Sequence, residues 1–173
     1  SNKFKVDINC LTIGNGSNDI IEFIARSFLS DKDSAIYSEH AFAVYPLVVQ
    51  AVGAEGIEVP AIEYGHDLEG MLKAVKENTK LLFIANPNNP TGTFLSPKEI
   101  ESFLGHLDRN IIVLLDQAYF DYSSYNNEDI SFELIKNYPN VIISRSFSKA
   151  YGLAGFRIGY SVSSPEVADY LNR

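Results

Sequence analysis

At 173 residues, with 46 % hydrophobic and 21 % charged side chains, the chain has the balance of a globular domain and the length for one buried core. A net charge of −8 disfavours sequence-independent binding to nucleic acid or to an anionic membrane, so neither is expected as a partner. Cys10 is the only cysteine, which excludes an intramolecular disulfide and fits a reducing cytoplasm.

The elements alternate along the chain. Leu11–Gly14 reads as a strand, and Asp19–Leu29 as a helix with Ile20, Phe23, Ile24 and Phe28 on one side. Ser34–Ser38 and Gly56–Pro60 read as strands, and Phe42–Val52 and Leu68–Lys76 as helices. Leu81–Ala85 (LLFIA) is a continuous apolar run, which suits a strand buried on both faces. Ser96-Pro97-Lys98-Glu99 starts a helix, with a capping serine, Pro at the first helical position and Glu two later. Ile111–Leu115 (IIVLL) is a second continuous apolar strand. A helix over Ile130–Lys136, strands at Val141–Ser144 and Ile158–Val162, and a helix at Pro165–Leu171 complete the pattern.

No repeat, low-complexity tract or Gly/Ser linker interrupts this order. No apolar run approaches the ~20 residues needed to cross a bilayer. No leader is visible at Ser1, where the chain begins without Met and reads as a trimmed or partial sequence. The β-α-β alternation predicts an α/β fold: an α/β/α sandwich around a mainly parallel central sheet. Such sheets bind ligands beyond the carboxyl ends of their strands, so the residues following each strand carry the interest.

Asn15-Gly16-Ser17-Asn18 follows the first strand and precedes a helix. Backbone N–H groups there can face an anion, although a tight turn with an N-cap uses the same residues. After LLFIA comes Asn86-Pro87-Asn88-Asn89-Pro90-Thr91-Gly92, a rigid turn whose asparagines offer donors and acceptors. After IIVLL comes Asp116-Gln117-Ala118-Tyr119. A carboxylate at that sheet edge is partly buried and needs a cation or hydrogen-bond donors. After VIIS comes Arg145-Ser146-Phe147-Ser148-Lys149, and Arg157 stands eight residues beyond Lys149 with a fork suited to phosphate. The histidines His40, His66 and His106 lie far apart, and no CxxC or HExxH pattern occurs, so no metal site is expected.

These groups amount to an anion site (Gly16 to Asn18, Ser146, Ser148, Arg157), an amine (Lys149), a carboxylate (Asp116), a phenol (Tyr119) and an amide (Asn89). A phosphorylated aromatic aldehyde uses all five. The pieces GNGSND, NPNNPTG, DQAY and SFSKAYGLAGFRIGY, in this order and spacing, resemble the fold-type I pyridoxal-phosphate enzymes, specifically the class I/II aminotransferases. The nearest likeness is to the histidinol-phosphate aminotransferases.

The resemblance implies pyridoxal 5'-phosphate as cofactor. It implies that Lys149 bonds the cofactor aldehyde and then moves a proton between the substrate α-carbon and the cofactor. It implies that Asp116 pairs with the pyridine nitrogen, and that Tyr119 and Asn89 bond the ring oxygen. Gly16, Ser17, Asn18, Ser146, Ser148 and Arg157 hold the phosphate. Phe42 stands where the family places an aromatic stacked on the ring, often tyrosine; a core role in its own helix is the other reading. Gln117 replaces the family's more usual glutamate, at a position without direct cofactor contact.

By the same resemblance, residues 1–173 are the large cofactor-binding domain. The N-terminal arm, the C-terminal small domain and the substrate-carboxylate arginine have no counterpart, and Arg173 does not match that arginine. A partner subunit contributes a tyrosine to the phosphate site in the family, so a homodimer is expected. The expected reaction passes an amino group from a small-molecule donor to a 2-oxo acid. A decarboxylase or lyase using the same cofactor, and a non-enzymatic ligand-sensing domain, stay open at this point. A plain nucleotide-binding domain lacks support, since neither GxGxxG nor GxxxxGK[ST] occurs.

Overall fold

The computed structural model describes residues 6–124 and 131–173. Among these residues seven strands form one sheet: β1 (Leu11–Asn15), β2 (Ser34–Ser38), β3 (Glu55–Val59), β4 (Thr79–Ala85), β5 (Ile112–Asp116), β6 (Val141–Ser146) and β7 (Ile158–Val162). Their order across the sheet is β1-β7-β6-β5-β4-β2-β3. β2 through β6 run parallel, while β7 is antiparallel to both its neighbours. The expected mainly parallel α/β/α sandwich is the fold observed.

The helices are α1 (Ser17–Phe28), α2 (Val44–Ala51), α3 (Leu68–Lys73), α4 (Pro97–His106), α5 (Ser131–Asn137) and α6 (Pro165–Leu171). Side chains alternate faces along a strand, so one continuous apolar run can serve two cores. Leu81, Phe83 and Ala85 of β4, with Leu114 and Ile142, pack against α1, α2 and α6. Leu82 and Ile84, with Val113, Leu115, Val141 and Ile143, pack against Met71 of α3, Ile100 and Phe103 of α4 and Leu134 of α5. Each fully buried aliphatic or aromatic side chain contributes about 1.5–3 kcal/mol, so the central strands anchor the residues at their ends.

Several boundaries differ from the sequence expectation. The buried stripe of α1 is Ile20, Ile21, Ile24 and Ala25, with Phe23 and Phe28 at its edge. α1 begins two residues earlier than expected, because Gly16 at φ 85° turns the chain directly into it. α2 spans less than Phe42–Val52: Phe42 lies one residue before the Ala43 cap, in a turn closed by Tyr45 N–H donating to the Phe42 carbonyl. α3 stops at Lys73 rather than Lys76. β6 runs on to Ser146, because Arg145 and Ser146 pair with Tyr160 and Gly159 of β7. Of the expected helix Ile130–Lys136, Ile130 lies outside the described residues. The capping box of α4 is present: Ser96 Oγ accepts from Glu99 N–H, and Glu99 Oε2 accepts from Ser96 N–H at 2.8 Å. Among the described residues no helix is long and apolar enough to cross a membrane.

Candidate active site

The carboxyl ends of β1, β4, β5 and β6 share one rim of the sheet. β7 runs the other way, so its amino end, and with it Arg157, reaches the same rim. There lies a cavity of about 180 Å³. Its lining includes Ser17, Asn18, Phe42, Asn89, Asp116, Tyr119, Ser146, Ser148, Lys149 and Arg157. Of the expected site residues only Gly16 is not in the lining, and it lies under the Arg157 guanidinium. Asp116, at the end of β5, and Lys149, in the turn after β6, line the same space.

Asp116 ends β5 and is almost fully buried. The sequence suggested partial burial; the structure encloses it and supplies donors instead of a cation. Tyr45 Oη donates to Oδ2 at 2.8 Å, Ser144 Oγ to Oδ1 at 2.9 Å, and the Ala118 backbone N–H to Oδ1 at 3.1 Å. Burial pushes the Asp116 carboxyl above its ordinary value, and these three donors oppose that rise.

The anion end combines several donors. Gly16, at φ 85°, leaves the first turn of α1 without a side-chain cap, so its amides are open to a ligand. Arg157 adopts a left-handed conformation at φ 53°, and its Nη2 donates to the Asn15 carbonyl at 3.3 Å. Ser146 Oγ accepts from the Ser148 N–H at 3.0 Å, which folds the two serines into one turn. Lys149 starts the next turn, closed by the Gly152 N–H donating to its carbonyl at 3.0 Å. Its Nζ lies 5.2 Å from the centre of the Tyr119 ring.

Phe42 lines the cavity and also touches the core beneath, meeting Tyr45 edge-on at 5.8 Å. It packs against the core from the turn before α2 rather than from within the helix. Gln117 faces away from the cavity, as its strand alternation requires. Its Oε1 accepts from Arg145 Nε at 3.1 Å and Nη2 at 2.6 Å, and its Nε2 donates to Ser131 Oγ at 2.8 Å. The Arg145 guanidinium also lies over Phe120 and Phe132 at 4.6 and 4.7 Å. Cys10 is half-buried, and burial pushes its thiol up.

Sequence reasoning missed Tyr45 and Ser144. Tyr45 stands three residues after Phe42, a neighbour on the same side of the helix expected over Phe42–Val52. Ser144 stands two before Ser146, hence on the same strand face. Both spacings were available. Tyr45, however, reads as core in an apolar helix, and Ser144 reads as the end of an apolar strand.

The family model for aminotransferase class I and II matches residues 1–173. The chain is 60 % identical over 163 residues to histidinol-phosphate aminotransferase 1 of Idiomarina loihiensis, covering 94 % of this chain and 44 % of that protein. It is 55 % identical over 171 residues to histidinol-phosphate aminotransferase 2 of Haemophilus influenzae strain 86-028NP, covering 99 % and 47 %. The chain thus spans just under half the length of these curated relatives. A crystal structure of histidinol-phosphate aminotransferase from Sinorhizobium meliloti in complex with pyridoxal-5'-phosphate superposes with a TM-score of 0.87 at 33 % identity, over 93 % of this chain and 44 % of that one.

Proposed function

The chain belongs to the aminotransferase class I and II family, and from that premise we propose that residues 1–173 form the pyridoxal-phosphate-binding large domain of an enzyme that moves an amino group between histidinol phosphate, or a similar amino-alcohol phosphate, and a 2-oxo acid. One observation carries the reading: an amine, a buried carboxylate and an anion-binding rim converge on one cavity. The relatives' names favour transfer over the decarboxylase, lyase and sensor readings. A homodimer in the cytoplasm is part of the same proposal.

The residues fit the cofactor by the chemistry of their donors. The α1 amino end, Ser146, Ser148 and Arg157 offer N–H and O–H groups to a phosphate. Gly16 leaves bare backbone there, since a side chain at this position would run into the Arg157 guanidinium. Phe42 offers a ring face, Tyr119 and Asn89 offer donors to a ring oxygen, and Asp116 offers an acceptor to a ring N–H. Bound pyridoxal phosphate supplies an aldehyde carbon that amines attack and a ring that draws electrons from the substrate α-carbon.

The chain's own residues then have separate tasks. Lys149 Nζ would hold the cofactor through its aldehyde carbon. With a substrate amine in its place, the Lys149 amine would accept and return the proton at the substrate α-carbon. Asp116, held by three donors, would accept from the ring N–H and favour a proton on the ring nitrogen. Arg157 and the α1 amides fix the phosphate, so the ring does not shift as the proton moves.

Adding pyridoxal phosphate to the protein and to Lys149→Ala tests the reading. A visible band is expected in the wild type alone, and borohydride should trap the cofactor on the Lys149 peptide. Histidinol phosphate should then abolish the band and leave the pyridoxamine form. A folded wild-type protein with no band, or with cofactor trapped on another lysine, overturns the proposal.

A further inference from the structure

An ionised carboxylate offers about four acceptor positions, two on each oxygen. At Asp116, Oδ1 already takes two donors, the Ser144 hydroxyl and the Ala118 N–H. Oδ2 takes one, the Tyr45 hydroxyl at 2.8 Å. The position left over is therefore on Oδ2, the oxygen that Tyr45 holds. A ring N–H entering the cavity must share that oxygen with Tyr45.

Tyr45 cannot swing away from this contact. It is fully buried, and its ring stacks on Phe83 with centroids 4.7 Å apart and planes 17° from parallel. A phenylalanine would fill the same space. The hydroxyl adds a buried polar group to an apolar layer, which is costly unless it is bonded, and its bond is to Asp116.

We propose that Tyr45 is a positioning residue: through Oδ2 of Asp116 it sets how firmly that carboxylate holds the proton on the cofactor ring nitrogen. The proposal rests on the reading of the cavity as a pyridoxal-phosphate site. The phenol donates to the carboxylate and so favours its ionised form, against burial that favours the neutral one. The other titratable or charged groups round this space are Tyr119, Lys149 and Arg157 in the cavity lining, with His66 behind Ala85. Only Tyr45 among them is hydrogen-bonded to Asp116.

The sign follows. Without the phenol, Asp116 takes up a proton at higher pH, and a neutral carboxyl no longer supplies the negative charge that pairs with a protonated ring nitrogen. In Tyr45→Phe the acid limb of cofactor binding, read from the visible band against pH, moves upward. Binding on the acid side weakens roughly tenfold, the scale of one lost hydrogen bond to a charged group. Replacing Tyr45 by 3-fluorotyrosine makes the phenol a stronger donor, keeps the packing and moves the limb down. Phe83→Leu disturbs the stack, spares the hydroxyl, lowers the melting temperature and leaves the limb in place. An unmoved limb in both Tyr45 variants, or an equal shift in Phe83→Leu, overturns the proposal. Borohydride trapping on Lys149 in the wild type is scored separately, so a failed cofactor assignment is distinguished from a failed role for Tyr45.

Discussion

His66 Nε2 lies 2.9 Å from the carbonyl oxygen of Ala85, the last residue of β4. A carbonyl can only accept, so the imidazole carries its proton on Nε2. The contact exists because β2 and β4 part company: their pairing ends at Ile36 and Leu82, while β4 continues beside β5 to Ala85 and Asp116. The Ala85 carbonyl faces that gap, and His66 fills it. His66 thereby braces the strand end that forms one wall of the cavity.

This histidine makes stability depend on pH. Burial pushes it below its ordinary value of 6.5, and the hydrogen bond to Ala85 opposes this in smaller measure. The unfolded chain therefore binds a proton at this residue that the folded chain refuses. The contribution is fully present above pH 6.5 and is lost as pH falls through the lower folded value. His66→Leu should cost about 1–3 kcal/mol at neutral pH, because the Ala85 carbonyl loses its donor. It should also flatten the fall in melting temperature between about pH 7 and 5. Parallel melting curves for variant and wild type at several pH values check both effects; equal slopes refute the assignment.

Asp116→Asn separates holding the cofactor from using it. The amide oxygen can still accept from Ser144 and Ala118, so the fold around it survives. The amide cannot serve as the counter-charge of a protonated ring. Borohydride should still trap pyridoxal phosphate on Lys149, while the single-turnover rate with an amino donor falls by roughly 10²–10³, the usual scale for losing one preorganised electrostatic group. Rapid-mixing absorbance measurements read the rate; ordinary turnover in the variant would exclude this role for Asp116.

What the sequence disclosed follows from what periodicity encodes. LLFIA and IIVLL were legible as central strands because burial on both faces leaves an unbroken apolar run. The cavity-lining polar groups were legible because polar residues just after such runs have few other reasons to be there. Strand direction leaves no such trace: Ile158–Val162 reads as a strand whichever way it points, yet only its reversal brings Arg157 to the rim beside Gly16. Tyr45 was hidden for a related reason, since its partner Asp116 lies 71 residues away and its own neighbours are apolar. Gln117 lies outside the cavity lining, and its bonds to Arg145 are on the opposite face of the sheet end.

Two glycines at the anion end should respond differently to a methyl group. Gly16 sits at φ 85°, where an L-residue is strained by about 1–3 kcal/mol, and its methyl would meet the Arg157 guanidinium. That guanidinium ends a flexible, exposed side chain and can retreat, so Gly16→Ala should fold but hold phosphate poorly. A methyl on Gly159 would instead meet the backbone of Gly16 and the Ser17 nitrogen. Backbone at the first turn of a buried helix cannot retreat without moving Ile20 and Ile21 in the core. Gly159→Ala should therefore lower the melting temperature more than Gly16→Ala does. Gly16→Ala should weaken pyridoxal phosphate binding about tenfold or more while barely changing affinity for pyridoxal without its phosphate, because only the anion contact is lost. Melting curves and paired titrations with the two cofactor forms decide it. Equal losses for both forms would place the damage in the ring pocket and remove Arg157 and the α1 amides as the phosphate site.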